Sequence, residues 1–136
     1  MKRILIIVGV VTVLAGATWA VQAWHTVRDN MRASQFNEDM ETLFTALQRY
    51  KEYVGSYPVG TNEEIAQALQ GKNSKNVIVI LGHKQPINSK GEFVDPWGTP
   101  LRIYFSGSGV LVRSAGPNRR FDDSTVLNAD DYYRSN

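Results

Sequence analysis

The stretch Asp95-Pro-Trp-Gly-Thr-Pro-Leu-Arg-Ile-Tyr-Phe105 joins a rigid turn to a run of β-prone residues. Proline fixes its own φ and lacks a backbone N–H, and glycine accepts a positive φ, so two prolines around a glycine specify one turn geometry. The simplest expectation is a tight loop whose tryptophan covers a small core. The turn motif comprises Asp95, Pro96, Trp97, Gly98 and Pro100.

A β-hairpin is predicted immediately after this turn. A second β-prone run, Val110 to Arg113, follows the glycine-rich link Ser106-Gly-Ser-Gly109. Alternation places Leu101, Ile103 and Phe105 on one face of the first strand. Since two or three strands need a cover to be stable, we expect a helix to pack on that face.

A long amphipathic helix is predicted before the turn. Neither proline nor glycine interrupts Val27 to Val54, and apolar residues recur there at steps of three or four. Gly55 and the extended exit Tyr57-Pro58 end this helix. The part from Val27 to Phe36 is more polar than the rest. The apolar stripe comprises Met40, Leu43, Phe44, Leu47, Tyr50 and Val54.

Two shorter elements are predicted between the long helix and the turn. Thr61-Asn-Glu-Glu64 has the pattern of a capping box and begins a short helix that ends at Gly71. Val77 to Leu81 is rich in β-branched residues, which favours a buried strand, although so short an apolar run also fits a helical turn.

The N-terminal segment has the pattern of a membrane anchor. Ile4 to Ala23 follows Lys2-Arg3 and carries no charged residue, and a helix of about 20 residues spans roughly 30 Å, the thickness of a bilayer core. We therefore assign residues 1–26 to an anchor with its N-terminus in the cytoplasm, and 27–136 to a single domain. A cleaved secretory signal, with Val21-Gln-Ala23 or Ala15-Gly-Ala17 as cleavage site, is the alternative.

Composition narrows the classes of function. The 136 residues include no cysteine, which excludes disulfides and thiol catalysis, and the net charge of +2 is dispersed. No basic stripe favours nucleic-acid binding, and nothing indicates a small-molecule substrate. His25 and His83 are the imidazoles of the chain, and neither lies in a pattern typical of catalysis. We therefore expect a protein that is not an enzyme.

The C-terminal loop is rich in side chains that carry oxygen. A hard cation such as Ca²⁺ takes about six to eight oxygen ligands, which carboxylates and backbone carbonyls can supply. The spacing is not that of an EF-hand, and an ordinary solvated acidic loop is the simpler interpretation. The candidate side chains are Asn118, Asp122, Asp123, Asn128, Asp130 and Asp131.

Three motifs, in order, resemble the major (G-type) pseudopilins of bacterial type II secretion systems. The first is the helix end from Ala46 to Pro58, with its Gly-x-Tyr-Pro exit. The second is Asp95 to Leu101, with leucine where the family usually has tyrosine. The third is Ser114-Ala-Gly-Pro-Asn118 followed by Asn128-Ala-Asp-Asp131. Together they cover roughly Ala33 to Tyr133.

The resemblance implies an α+β, pilin-like fold with a long N-terminal helix packed on a small antiparallel sheet. It implies a structural subunit that self-assembles into a filament with other pseudopilins at an inner-membrane assembly platform. Such filaments support export of folded proteins from the periplasm across the outer membrane. The resemblance also implies a structural Ca²⁺ held by Asn118, Asp130 and Asp131, with backbone carbonyls near Leu111 to Ser114. Asp122 and Asp123 lie in an inserted stretch that does not match the family.

The N-terminus departs from the family pattern. Pseudopilins have a Gly–Phe-type cleavage point and a glutamate shortly after it, whereas Gly9-Val-Val-Thr-Val-Leu14 lacks both, and no acidic residue precedes Asp29. A second hypothesis therefore stays open. In it the chain is a membrane-anchored or secreted periplasmic accessory or binding module that has a pilin-like domain and does not polymerise.

Overall fold

The computed structural model describes residues 2–80, 86–107, 109–122 and 130–135, with side chains from Trp19 onward. The architecture is α+β, as expected, with one long helix, one short helix and a small antiparallel sheet. The chain divides into two units, Met1–Arg32 and Ala33–Asn136. The elements are α1 (Lys2–Val54), α2 (Asn62–Leu69), β1 (Arg102–Ser106), β2 (Gly109–Ser114) and β3 (Tyr132–Ser135).

Helix α1 supplies one wall of the core of the Ala33–Asn136 unit. The predicted stripe from Met40 to Tyr50 is buried, and Val54 packs against its edge. Phe36 is also buried, although its segment was expected to be polar, because it meets the ring of Tyr132. The helix ends where predicted, since Gly55 takes a φ of 101° and its N–H donates to the Lys51 carbonyl.

The predicted hairpin is confirmed. β1 pairs antiparallel with β2, with Ser106 opposite Gly109 at the turn and Ile103 opposite Val112. The inner face of the sheet, which includes Val110 and Val112, packs on the α1 stripe. Burying this shared apolar surface is the main stabilising contribution of the fold.

A third strand was not predicted. β3 pairs antiparallel with β2, so the order is β1-β2-β3 and β2 is central. The composition predicts an oxygen-rich loop that runs through Tyr132 and Tyr133, and this extension is wrong. They form a strand because Tyr132 packs between two elements far away in sequence, stacking on the ring of Trp97 and tilting against that of Phe36.

Helix α2 fixes the position of the turn motif. Its first residue, Asn62, donates from Nδ2 to the carbonyls of Phe93 and Leu101, and its Oδ1 accepts from the Phe93 N–H. The predicted capping box is present, with Thr61 as N-cap and Glu64 at its third position. The pKa of Glu64 is lowered, first by the hydrogen bond from the Thr61 backbone and then by that from its side chain.

The β-branched run after α2 forms neither a strand nor a helical turn over residues 77–80, so both interpretations left open by the sequence are wrong there. Residues 77–80 are irregular, and Leu81 lies outside the described residues. The N–H groups of Val79 and Ile80 both donate to the carbonyl of Leu69 at the end of α2. Ile80 is buried in the core and Ile78 is exposed, so this segment closes the side of the core.

The Met1–Arg32 unit consists of the first part of α1. Among the side chains described from Trp19 onward, the exposed large apolar ones of this segment are Trp19, Val21, Trp24, Val27 and Met31. Within the part of the chain that the structure describes, no helix combines the length and the apolar character needed to cross a bilayer. The predicted span from Ile4 to Ala23 consists mostly of residues whose side chains the structure does not describe. The membrane anchor therefore stays a prediction.

Candidate functional site

The turn motif is organised around the buried carboxylate of Asp95, which is 2% exposed. Its Oδ1 accepts from the N–H groups of Trp97 at 3.0 Å and Thr99 at 2.8 Å. Gly98 takes a φ of 88°, and its N–H donates to the Asp95 carbonyl. The carboxylate therefore fixes the loop that the prolines and glycine specify, and Trp97 covers the core as expected.

Ser114 connects this turn to the C-terminal loop. Its hydroxyl donates to Oδ2 of Asp95 at 2.7 Å and accepts from the N–H of Gly116 at 3.0 Å. Both Ser114 and Asp95 are buried, so this chain of hydrogen bonds is shielded from water. The geometry of the turn thereby sets where the C-terminal loop begins.

Gly116 brings the start of the loop against its end. It takes a φ of 64°, and a Cβ added there would lie 2.1 Å from the carbonyl oxygen of Asp130. Only glycine allows so close a backbone approach at a positive φ. As a result, the residues on either side of the acidic stretch meet at one place.

Three carboxylates converge where the loop closes. Asp122, Asp130 and Asp131 each offer an oxygen atom, and these oxygens lie within 4.8 Å of one another. The N–H of Asn118 donates to Oδ2 of Asp130 at 3.0 Å, and its Nδ2 donates to Oδ2 of Asp122 at 2.9 Å. These three aspartates and Asn118 are the acidic cluster.

The side chain of Arg113 balances part of the charge of the acidic cluster. Its Nε donates to Oδ2 of Asp131 at 2.5 Å, and its guanidinium also donates to the Asp122 carbonyl. Burial alone would lower the pKa of Arg113, but the hydrogen bond and charge of Asp131 raise it above its ordinary value. The arginine therefore stays charged and holds Asp131 in place.

Sequence reasoning missed Arg113. The sequence indicates a partner for Arg113 only once β3 is known. Arg113 pairs with Tyr133, and Asp131 lies two residues before Tyr133 in the chain. Residues two positions apart in an extended chain point to the same side of the sheet, so Asp131, two residues before Tyr133, is within reach of Arg113. Without β3, nothing in the sequence singles out Arg113.

The structure brings Asn118, Asp130 and Asp131 together with Asp122 from the stretch that does not match the family, and their role as ion ligands stays a prediction. Asp123 and Asn128 lie outside the described residues. Leu111 lies in the central strand, paired with Tyr104 and Ser135, and the role of its carbonyl stays a prediction.

The donor set of the acidic cluster fits a hard cation in part. The Oδ1 of Asp130 is buried and has no hydrogen-bond partner among the described residues, which makes it the free ligand of the cluster. Asp131 uses one oxygen for Arg113 and the other for the N–H of Asp122. The Oδ1 of Asn118 accepts from the Arg120 N–H. Asp130 and Asp122 are therefore the best placed to hold an ion.

Neither of the two histidines lies in a sequence pattern typical of catalysis. His25 is exposed, and its Nδ1 lies 3.2 Å from the Arg28 guanidinium. His83 lies outside the described residues. The expectation that the protein is not an enzyme stays a prediction.

Comparisons of the chain with protein-family models, with curated proteins and with solved structures find no match in any of the three.

Proposed function

We propose that this chain is a structural subunit of a pilin-like filament, similar to the major pseudopilin of a type II secretion system. In this proposal residues 1–26 anchor it in the inner membrane, the domain from residue 27 lies in the periplasm, and the filament supports protein export. The observation that carries the proposal is helix α1, which is unbroken from Lys2 to Val54. Its later part packs on a three-stranded sheet, and its earlier apolar side chains are exposed.

The exposed apolar side chains before Arg32 favour burial by lipid or by neighbouring copies. Trp24, Val27 and Met31 follow at steps of three and four, so they lie on one face of α1. A contiguous exposed apolar face of this kind marks an interaction surface or a membrane surface. Helix packing between subunits would cover it, and that is the arrangement a filament core requires.

Cysteine cross-linking tests subunit contacts through this face, because the chain has no cysteine of its own. We expect Met31→Cys and Trp24→Cys, made singly, to give disulfide-linked dimers in membranes under mild oxidation. Lys75→Cys is the matched control, since Lys75 is exposed on a loop of the domain. Electron microscopy of cells that overproduce the chain should show filaments. Equal cross-linking at all three positions, or none, would contradict helix-mediated assembly.

The second candidate is an anchored or secreted periplasmic accessory or binding module that does not polymerise. The absence of any acidic residue before Asp29 favours it, because the pseudopilin pattern has an early glutamate there. Sequencing the mature N-terminus, together with the cross-linking result, separates the two candidates. A processed chain that cross-links through α1 supports the filament subunit, and a chain that stays monomeric supports the accessory module.

We further propose that the acidic cluster holds a structural Ca²⁺, with Asp130 and Asp122 as its main side-chain ligands. Arg113 forms an ion pair with Asp131 alone among the three aspartates. The bound ion would supply positive charge to the other two. It would tie the loop from Gly116 to the start of β3 in a small domain that has no disulfide. A ligand that binds only the folded state stabilises that state by mass action.

Removing calcium with a chelator is expected to lower the Tm of the full-length chain by about 5–10 °C. Asp130→Ala should abolish this difference between calcium and chelator, because it removes the buried Oδ1 that has no other partner among the described residues. Glu38→Ala, which changes an exposed acid on α1, should keep the full difference. A wild-type Tm that does not respond to chelation would rule out the ion as a structural element.

A further inference from the structure

The outer face of the sheet carries arginine and aromatic side chains. Alternation along the strands points Tyr104 of β1, Leu111 of β2 and Tyr133 of β3 away from the core, and they are 47%, 38% and 51% exposed. Tyr104 pairs with Leu111 across the first two strands. Arg102 and Arg113 share this face with them, since each is two residues away on its own strand. We call these five side chains the outer sheet face.

The arginines of this face stack on aromatic rings. The Arg102 guanidinium lies 3.9 Å from the centre of the Phe121 ring, and that of Arg113 lies 5.3 Å from the same ring. Arg113 also lies 5.3 Å from the centre of the Tyr133 ring. These distances are within the range of cation–π attraction, so the exposed guanidinium of Arg102 and the largely buried one of Arg113 are both held in place.

The two arginines differ in how their charge is used. Arg113 is paired with Asp131, whereas Arg102 is exposed and has no ion pair in the part of the chain that the structure describes. Arg102 also lies directly opposite Arg113 in the strand pairing, and like charges opposite one another are destabilising. Phe121 therefore positions a positive charge that the described part of the domain does not neutralise.

The geometry points to the outer sheet face as a docking surface for an acidic segment of a partner protein. Tyrosine, phenylalanine and arginine are the residue types enriched at protein interfaces, and the face contains no lysine. A stacked guanidinium is pre-organised for two parallel hydrogen bonds to a carboxylate. Arg119 and Arg120, both exposed just before Phe121, add positive charge beside it.

An acidic polypeptide fits this face better than a nucleic acid does. Single-stranded nucleic acid binds by stacking its bases on open aromatic rings, but guanidinium groups already cover the Phe121 ring. This inference stands apart from the proposed filament, because it involves neither the exposed face of α1 nor the acidic cluster as an ion site.

Fluorescence anisotropy with a labelled oligoglutamate peptide tests the inference, using the full-length chain in non-ionic detergent at low ionic strength. We expect micromolar binding by the wild type and a loss of about tenfold or more for Arg102→Glu. Lys75→Glu makes the same charge change at an exposed site outside this face and should bind nearly as the wild type does. Tyr104→Ser, which leaves the charge unaltered, should weaken binding at least threefold.

The controls make each outcome decisive. Circular dichroism verifies that each variant keeps the wild-type fold, and Tyr104→Ser provides the test if Arg102→Glu does not fold. Absence of wild-type binding to the peptide would overturn the inference, as would equal losses for Arg102→Glu and Lys75→Glu. Tighter binding of labelled oligothymidine than of oligoglutamate would overturn it in favour of a nucleic-acid surface.

Discussion

Asp95→Ala is expected to lower the free energy of unfolding by about 3 kcal/mol or more. The Asp95 carboxylate accepts from the N–H groups of Trp97 and Thr99 and from the Ser114 hydroxyl. Leaving a buried donor without a partner costs about 1–3 kcal/mol, and hydrogen bonds to a charged group are the stronger ones. Urea unfolding of the full-length chain, followed by circular dichroism, measures the loss.

Two matched variants show whether the carboxylate is the cause. Asp95→Asn keeps an acceptor for the backbone N–H groups, and the Ser114 hydroxyl can turn to accept from its amide, so we expect a loss of only about 1 kcal/mol. Glu38→Ala removes an exposed acid and should change stability by no more than about 0.5 kcal/mol. If Asp95→Ala behaved like Glu38→Ala, the turn would not depend on its buried acid.

Gly116→Ala is expected to cost about 2–4 kcal/mol. The residue takes a φ of 64°, which strains any residue with a Cβ, and the new methyl group would lie 2.1 Å from the Asp130 carbonyl oxygen. That oxygen belongs to the backbone, so no flexible side chain can give way. The strain falls on the closure of the C-terminal loop, and the amides of β3 should lose protection from hydrogen exchange.

Gly98→Ala separates the two causes of this loss. Gly98 also takes a positive φ, 88°, but a Cβ there has no heavy atom within 4 Å. Its substitution measures the conformational penalty without the overlap, about 1 kcal/mol. A loss at Gly116 no larger than the loss at Gly98 would show that the approach of Asp130 is not a constraint on the fold.

Local signals explain which elements could be predicted from the sequence. The steps of three and four from Met40 to Tyr50, the glycine at 55 and the capping box at Thr61 each act over a few neighbouring residues. The hairpin was predictable for the same reason, because its turn residues and alternation lie within Leu101 to Arg113. All of these appear in the structure with boundaries shifted by a residue or so.

Long-range contacts explain what could not be predicted. The strand from Tyr132 to Ser135 is too short for its alternation of buried and exposed residues to predict a strand. It depends on contacts of Tyr132 with the rings of Phe36 and Trp97. Residues 77–80 have strand-forming side chains but no neighbouring strand, because the Leu69 carbonyl takes two of their N–H groups. β propensity describes a fit to a pleated surface, and here that surface is absent among the described residues.

The candidate site was predictable in composition but not in detail. The sequence shows an acid-rich loop, and the family resemblance selects Asn118, Asp130 and Asp131. The sequence does not show that Asp122 joins these residues, or that Arg113 neutralises the carboxylate of Asp131. Both facts depend on β3, whose Tyr132 packs on rings far away in the sequence.

The meeting of Phe36 with Tyr132 has a kinetic consequence. The ion pair between Glu41 and Arg134 joins residues 93 positions apart, so the first and last parts of this domain touch. Topologies rich in such distant contacts fold slowly, since the chain must lose the entropy of closing long loops before those contacts stabilise it. Nascent chains should therefore remain incomplete, with the helix stripe open to chaperones, until the final strand has emerged.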